Sequence, residues 1–320
     1  MSAGFLVVDK APGMTSHDVV GIVRAVTGLK KVGHTGTLDP FATGVLVLAL
    51  GGATRFIQFL DENLKVYDAT IQFGASTETG DPEGDVVETG PLPNWELLPE
   101  VIQKMVGKQM QRPPAYSAVK YKGKPLYKYA RAGEHVEVPA REIEIFSLDV
   151  LEKGEDWLRV ELRCSRGTYA RVIANDIAKG LGTVGHLSAL RRGQSGIFEL
   201  DSAVDMSGLA QIVAGRDDFG AVFSKEGERV KWKPRDEVCG AIFARVVDLA
   251  EALNHLPSVQ CSDPDAKRLR NGGSAPPPPP GLRPGERYLA LHGGVALAVA
   301  ESQGRLGKPL RVVGEKSRRR

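Results

Sequence analysis

The feature that most constrains the fold is a Gly- and Thr-rich stretch, residues 33–44 (GHTGTLDPFATG), that runs directly into an apolar segment. Pro40 pushes the residue before it, Asp39, toward an extended conformation, and the glycines permit backbone angles that other residues avoid. Residues 45–50 (VLVLAL) are apolar throughout and are followed by two glycines, which predicts a buried strand with a sharp end. We therefore expect a shaped loop that presents one carboxylate at the start of a rigid core strand.

The remaining periodicity predicts an α+β fold with a mixed, mainly antiparallel sheet. Short turns join neighbouring strands, which is typical of this class rather than of a doubly wound sheet. A capping box at Thr15 and Asp18 begins a helix that ends near Gly28. The other expected elements are strands at 4–8, 65–73, 143–151, 157–164, 288–291 and 295–300, and helices near 97–105, 169–181, 246–253 and 264–270.

Composition narrows the class of protein. The three cysteines are far apart and odd in number, and the six histidines are scattered, so neither a disulfide framework nor a metal site is expected. The N-terminus carries no signal-peptide pattern, and no apolar run approaches the roughly 20 residues that a membrane helix needs. We expect a cytoplasmic protein. The net charge is only +3, so any affinity for nucleic acid must come from local patches, such as residues 112–141 with their four tyrosines and many basic side chains.

The residues alone leave the chemistry of Asp39 open. It could cap a turn, accept a phosphoryl group, serve as a glycosidase-like carboxylate, or act as a nucleophile at an electrophilic carbon. A phosphatase loop has a second acid two residues on, where Phe41 stands, so that alternative is excluded. A glycosidase needs paired carboxylates, and the acids available at residues 76–85 are expected to lie on a solvated loop.

Six separated motifs, in order along residues 4–204, resemble the TruB family of bacterial tRNA pseudouridine synthases. They are DKAPGMTS at 9–16, GHTGTLDPFATG at 33–44, KVY at 65–67, PPAYSAVK at 113–120, CSRGTYAR at 164–171 and HLSALRR at 186–192. The resemblance implies the pseudouridine synthase fold, with a thumb-like insertion at about 112–141 in a catalytic domain spanning 1–235. A looser match at about 256–313 implies a small β-rich PUA-like RNA-binding domain, placed at 246–314, before a basic tail at 315–320.

The activity implied by the resemblance is conversion of the T-loop uridine at tRNA position 55 to pseudouridine, without a cofactor or metal. Asp39 matches the family's nucleophile, which attacks either the ribose C1′ or the uracil ring. Arg171 matches the arginine that pairs with this carboxylate, and Tyr67 matches the tyrosine that stacks on the base and is a candidate proton acceptor.

Four further positions match substrate-binding residues of the family. A base stacked inside an RNA loop must be flipped out to react. The resemblance implies that His34 fills the vacated space, that Tyr169 and Leu190 line the base pocket, and that Lys10 supports the pocket floor. Ala11 and Ala170 depart from the usual family residues, and both positions are expected to affect packing rather than chemistry.

The expected partner is tRNA, through its T-arm and T-loop, with no membrane and no required protein partner, and the chain is expected to act as a monomer. Two other functions fit the same residues. One is an RNA-folding chaperone that holds the T-arm without needing Asp39, and the other is a guide-RNA-dependent enzyme in a ribonucleoprotein. The intact set of Asp39, Tyr67 and Arg171 favours an active enzyme, and the thumb-like insertion favours stand-alone recognition of tRNA.

Overall fold

The computed structural model describes residues 3–134, 136–205, 240 and 242–314. The last part of the predicted catalytic domain, residues 206–235, lies outside the described residues, as does the predicted basic tail at 315–320. The described part of the chain contains a large mixed sheet and a small four-stranded sheet, with helices that cover parts of both.

The large sheet has the strand order β14-β1-β3-β12-β4-β11-β10-β7, and β2, β13 and β15 pair with β3, β12 and β1 respectively. Only the β1–β14 and β3–β12 pairs within it are parallel, which confirms the predicted mixed, mainly antiparallel sheet. Its strands are β1 Gly4–Lys10, β2 Val32–His34, β3 Thr43–Leu50, β4 Lys65–Phe73, β7 Gly107–Gln111, β10 Arg141–Lys153, β11 Trp157–Cys164, β12 Gly185–Ser195, β13 Phe198–Glu199, β14 Val204–Asp205 and β15 Val247–Asp248.

Three helices pack on one face of this sheet: α1 Ser16–Thr27, α2 Leu98–Met105 and α4 Ala170–Gly180. The predicted capping box of α1 is confirmed, because Thr15 Oγ1 accepts from the Asp18 amide at 3.1 Å and the Asp18 carboxylate accepts from the Thr15 amide at 2.8 Å. The helix ends at Gly28, which has a left-handed φ of 67°.

Short elements connect the main strands. They are 3₁₀ turns at Gly51–Arg55, Ile57–Phe59, Trp95–Leu97 and Leu200–Ser202, a hairpin of β5 Ala75–Thr77 with β6 Val86–Thr89, and, inside the predicted insertion, β8 Lys120–Tyr121, β9 Lys124–Pro125 and α3 Leu126–Ala130.

The small sheet has the order β16-β17-β18-β19. Its strands are β16 Ser258–Gln260, β17 Arg287–His292, β18 Val295–Ser302 and β19 Gly307–Val312, and α6 Asp263–Arg270 packs on one side of it. The helix predicted at 246–253 is wrong in its first part. Val247 pairs with Phe5 of β1, and only α5 Leu249–Ala252 is helical, because tertiary pairing with the large sheet overrides the local helical pattern.

Candidate active site

Asp39 lies on the loop between β2 and β3, and hydrogen bonds from other elements fix the shape of that loop. Ser16 at the start of α1 donates to the Leu38 carbonyl at 3.1 Å and accepts from the Leu38 amide at 2.9 Å. At the other end, Gly44 has a φ of 98°, and a Cβ there would meet the carbonyl oxygen of Arg192. The glycine is therefore required both for the backbone angle and for the close approach of β12.

Lys10 is fully buried beneath this loop, at the end of β1. Its Nζ donates to the carbonyl of Pro40 at 3.0 Å and to those of Ala11 and Met14 at 2.9 and 2.8 Å. Burial lowers the pKa of Lys10 to about 8, against the opposing effect of Glu83 and Asp39. Lys10 thus holds the backbone next to Asp39 and lies outside the set of residues that line the cavity above.

The structure brings Asp39 and Arg171 together across the sheet. Arg171 Nε lies 3.0 Å from Asp39 Oδ2, and Nη2 donates to Oδ1 at 3.3 Å. The arginine side chain is only 5% exposed, whereas that of Asp39 is 32% exposed and opens onto a cavity. Burial raises the pKa of Asp39, and the guanidinium opposes this effect. The result is a partly desolvated carboxylate with a fixed cationic partner.

A second carboxylate holds Arg171 from the other side. Asp81 Oδ2 lies 3.3 Å from Arg171 Nη1, and the carbonyls of Thr79 and Tyr116 accept from the guanidinium at 2.7 and 2.8 Å. The Asp81 side chain is only 4% exposed, so the expectation of a solvated acidic loop at 76–85 is wrong at this position. The physical reason is that a buried guanidinium requires neighbouring negative charge and acceptors, and Asp81 supplies them.

A cavity of about 530 Å³ opens beside this pair, within the range of ~300–1,000 Å³ typical of small-molecule sites. Tyr67 from β4, Leu190 from β12 and Tyr169 at the N-cap of α4 line it together with Asp39 and Arg171. Burial raises the pKa of both tyrosines, so both phenols keep their protons at neutral pH. Five of the seven predicted site residues therefore share one cavity.

His34 is placed differently. It ends β2, where it pairs with Leu48 of β3, and it is not among the residues that line the cavity, although its neighbour Thr35 is. Its Nδ1 is buried and has no hydrogen-bond partner among the described residues. Burial lowers the pKa of His34, with smaller contributions from His17 and Arg192. The imidazole is thus neutral at neutral pH and lies at the start of the loop that carries Asp39.

The insertion at 112–141 contributes to the cavity wall through Ser117, Ala118 and Arg141. Its basic and aromatic side chains stack on one another, with Lys124 Nζ 4.2 Å from the ring centre of Tyr129 and the Arg131 guanidinium 5.6 Å from that of Tyr127. The Tyr116 hydroxyl donates to Glu78 at 2.6 Å. These contacts explain how several tyrosines are accommodated in an otherwise polar segment.

Sequence reasoning did not assign to the site six charged residues that line the same cavity: Glu62, Lys65, Arg141, Glu142, Arg166 and Arg192. Lys65 Nζ donates to Ser195 Oγ at 2.7 Å and lies 3.5 Å from Glu62. Lys65 and Arg192 lie within quoted motifs, but only the pairing of β4 with β12 shows that both face inward. Among the described residues, no group of three or more potential metal ligands is present.

Comparison with known proteins identifies the family. A model of the TruB family pseudouridylate synthase N-terminal domain matches residues 24–170. The tRNA pseudouridine synthase B of Geobacter sulfurreducens is 40% identical over 310 residues, which cover 93% of each chain. That of Oceanobacillus iheyensis is 37% identical over 304 residues, covering 93% of this chain and 92% of the relative. This chain belongs to the TruB family of pseudouridylate synthases.

Solved structures agree with the TruB assignment at the level of the fold. The Cbf5-Nop10-Gar1 complex contains a chain that matches with a TM-score of 0.66 and 25% identity, covering 97% of this chain and 84% of that one. An H/ACA RNP bound to a substrate RNA containing 2′-deoxyuridine gives a TM-score of 0.66 at 22% identity, covering 98% and 86%. No helix in the described ranges is long and apolar enough to cross a membrane.

Proposed function

We propose that this TruB-family pseudouridine synthase isomerises uridine 55 in the T-loop of tRNA, with Asp39 as its nucleophile. The observation that carries the proposal is the Asp39–Arg171 ion pair on the wall of a nucleotide-sized cavity that Tyr67 also lines. The relatives that share most of this chain are named tRNA pseudouridine synthase B.

The geometry suits a base that has left its stack. A uridine inside an RNA loop exposes neither C1′ nor its ring edge to a carboxylate, so it must be extruded before it reacts. In the cavity, Tyr67 offers a flat surface for stacking, and Tyr169 and Leu190 offer apolar contact. His34, at the start of the loop that carries Asp39, would occupy the space that the base leaves.

The reaction needs no net oxidation and no donated group, because the N-glycosidic bond is replaced by a carbon–carbon bond within one nucleotide. Asp39 supplies the nucleophile, and Arg171 keeps it ionised and oriented. Lys10 fixes the backbone next to Asp39 through the Pro40 carbonyl. We assign no metal or cofactor to the site.

The domain organisation follows the same proposal. The catalytic unit takes in residues 1–235, with the thumb-like insertion at 112–141 closing over the RNA, and residues 246–314 form a PUA-like unit that binds RNA. Its first strand, β15, is hydrogen bonded to β1, so the two units are joined by sheet pairing as well as by the chain. We propose that the protein acts on the T-arm as a cytoplasmic monomer, without a protein partner.

The test is to map pseudouridine by carbodiimide treatment and primer extension in an unmodified tRNA transcript incubated with the pure protein. Asp39→Asn should bind tRNA like the wild type but lose turnover by on the order of 10⁴-fold or more. The matched control is Asp149→Asn, which should remain active. The Asp149 carboxylate is exposed, and among the described residues it accepts a hydrogen bond only from Ser147.

Two results would contradict the proposal. Wild-type protein that forms no pseudouridine at position 55 would remove the assigned activity. Appreciable turnover by Asp39→Asn would remove Asp39 as the nucleophile. If the wild type and Asp39→Asn both improve the folding of tRNA and neither forms pseudouridine, the result would instead support an RNA chaperone.

A further inference from the structure

Arg192 is a buried cation with no anionic partner in the described ranges of the chain. It is 2% exposed, and its Nε donates to the Val45 carbonyl at 2.7 Å while Nη2 donates to the Gly36 carbonyl at 3.2 Å. In the part of the chain that the structure describes, no carboxylate forms an ion pair with it. An uncompensated buried charge is costly, so its retention calls for a specific explanation.

The neighbouring Arg191 provides a contrast within the same strand. It lies on the opposite face of β12, is 44% exposed, and forms an ion pair with Asp9 at 2.7 Å. It does not line the active-site cavity, whereas Arg192 does. The two arginines therefore share a sequence context and differ in burial, pairing and access to the site.

Arg192 stands next to Tyr67. The two residues are register partners on the adjacent strands β12 and β4, and both line the cavity. The other groups that bear on the Tyr67 hydroxyl from neighbouring elements are the Cys164 thiol on β11 and the Asp39 carboxylate. Burial raises the pKa of Tyr67, as do Cys164 and Asp39 to a smaller extent, whereas the charge of Arg192 and its hydrogen bond to the phenol lower it.

The proposed reaction requires one proton to move. Uridine carries hydrogen on C5 and none on N1, whereas in pseudouridine C5 is bonded to C1′ and N1 carries the hydrogen. When the N1–C1′ bond breaks, its electron pair stays on N1, and C5 later loses its proton to restore the ring. A group that protonates N1 and then deprotonates C5 would serve both steps without net gain or loss of protons.

We propose that Arg192 is a positioning residue that stabilises the phenolate of Tyr67 while that side chain carries this proton. Tyr67 gives its hydroxyl proton to N1 of the detached uracil, which leaves a phenolate against the guanidinium. C5 then attacks C1′ and displaces the Asp39 carboxylate that had bonded there. The phenolate takes the proton from C5, and both Asp39 and Tyr67 are restored. This inference rests on the proposed function and assigns Arg192 a part in it.

The structure also explains why the charge of Arg192 is available when the Tyr67 phenolate forms. Arg171 is already bound between two carboxylates, so its charge is largely compensated. Among the described residues, Arg192 is held by backbone carbonyls and by the Tyr67 phenol and by no carboxylate, so its orientation is fixed before the anion forms. A preorganised, desolvated charge of this kind stabilises a developing anion without the cost of reorganisation.

The experiment measures single-turnover rates across a pH series, together with tRNA binding, for wild type, Arg192→Met, Arg192→Lys and Arg191→Met. We expect Arg192→Met to lose about 10²–10³-fold in rate, as when one preorganised donor is removed, with little change in tRNA affinity. Arg192→Lys should recover part of the rate because it keeps the charge. Arg191→Met should behave like the wild type.

A double-mutant cycle separates this role from a structural one. In the Tyr67→Phe background, which has no phenol to ionise, Arg192→Met should cause little further loss. If the two losses multiply instead, Arg192 acts on the uracil or on the Asp39 loop, and the inference is overturned. A wild-type rate for Arg192→Met would overturn it as well.

A spectroscopic measurement covers the case in which Arg192→Met folds poorly. Subtracting the tyrosinate absorbance of Tyr67→Phe from that of the wild type gives the titration curve of Tyr67. The same subtraction is made between Arg192→Lys and the double variant with Arg192→Lys and Tyr67→Phe. Ionisation of Tyr67 should need a higher pH there, because the ammonium cannot reproduce the guanidinium's contacts. An unchanged titration would count against the inference. Wild-type protein that makes no pseudouridine is a different failure, that of the proposed function.

Discussion

Arg171 shows how a single residue can depend on partners from distant parts of the chain. Its guanidinium joins Asp39 on one loop to Asp81 on another, and two backbone carbonyls complete its contacts. A cation bound on both sides is fixed in direction, so its effect on Asp39 is reproducible from one turnover to the next. Asp81 therefore orients the site although it does not line the cavity.

We predict that Asp81→Asn lowers the single-turnover rate by about 10²-fold, the loss that a small misplacement of a positioned group causes. The amide keeps the size of the side chain but removes the charge opposite Arg171. Asp85→Asn, at an exposed acid of the same loop, is the control and should retain the wild-type rate. Equal rates for the two variants would show that Asp81 has no orienting role.

The same variant carries a pH prediction. Burial raises the pKa of Asp39, and the negative charge of Asp81 raises it further. In the proposed mechanism the active form of Asp39 is the carboxylate, so activity should rise as the pH increases through this pKa. Removing the charge of Asp81 lowers the pKa of Asp39, and the acid limb of the pH–rate profile should move to lower pH in Asp81→Asn. If the acid limb of Asp81→Asn stays in place or moves to higher pH, the predicted direction of the pKa shift of Asp39 is wrong.

At the scale of elements, the β2–β3 loop is shaped by β12 as much as by its own residues. Gly44 adopts a φ of 98° directly against the backbone of Arg192. The Arg192 side chain donates a hydrogen bond to the Gly36 carbonyl of the same loop. The positions of Asp39 and Arg192 are therefore linked through backbone contacts. A substitution at Gly44, at the end of the loop, should therefore displace both Asp39 and Arg192.

We predict that Gly44→Ala lowers the free energy of unfolding by about 1–3 kcal/mol or more, because the new Cβ would meet the Arg192 carbonyl and the backbone angle would be strained. Gly36→Ala is the matched control for stability, since the nearest atom to its Cβ would be Arg192 Nη1 at 3.8 Å, an ordinary contact. Denaturant unfolding of both variants measures the difference. Equal losses would mean that the close approach at Gly44 does not matter.

At the scale of the whole molecule, the two sheets share a hydrophobic core. Phe5 and Val47 on the back of the large sheet belong to the same buried cluster as Leu289 and Val299 of the small sheet. Arg55 also donates to the Val312 carbonyl at 2.9 Å across this boundary. A shared core makes the C-terminal unit a fixed part of the molecule and sets its distance from the candidate active site.

We therefore predict that Leu289→Ala destabilises the protein by about 2–5 kcal/mol and that both sheets still unfold in one transition. Leu306→Ala, at a leucine of the same unit that is 56% exposed, should have little effect. Thermal unfolding followed by far-UV circular dichroism and by tryptophan fluorescence tests this. Two separate transitions in the wild type would show that the units are independent.

Most of the regular elements were predictable because their signals are local. The alternation at 65–73 and 157–164 matches β4 and β11 to the residue, and the capping box begins α1 where expected. The signal failed at 247–248, where residues with a helical pattern pair with β1 instead. It also failed inside 112–141, the predicted thumb-like insertion, where three short elements lie in a segment for which no helix or strand was predicted.

The sequence by itself determined the family, the strand after the Asp39 loop, and five of the residues that line the cavity, because these depend on short motifs and local periodicity. Only the tertiary structure decided that Asp81 is buried against Arg171 and that Arg192 turns inward, away from its paired neighbour Arg191. The reason is that burial and charge pairing depend on strand register and on chain segments that meet only after folding. No local sequence pattern specifies which charged residue from a distant segment will lie beside a given side chain.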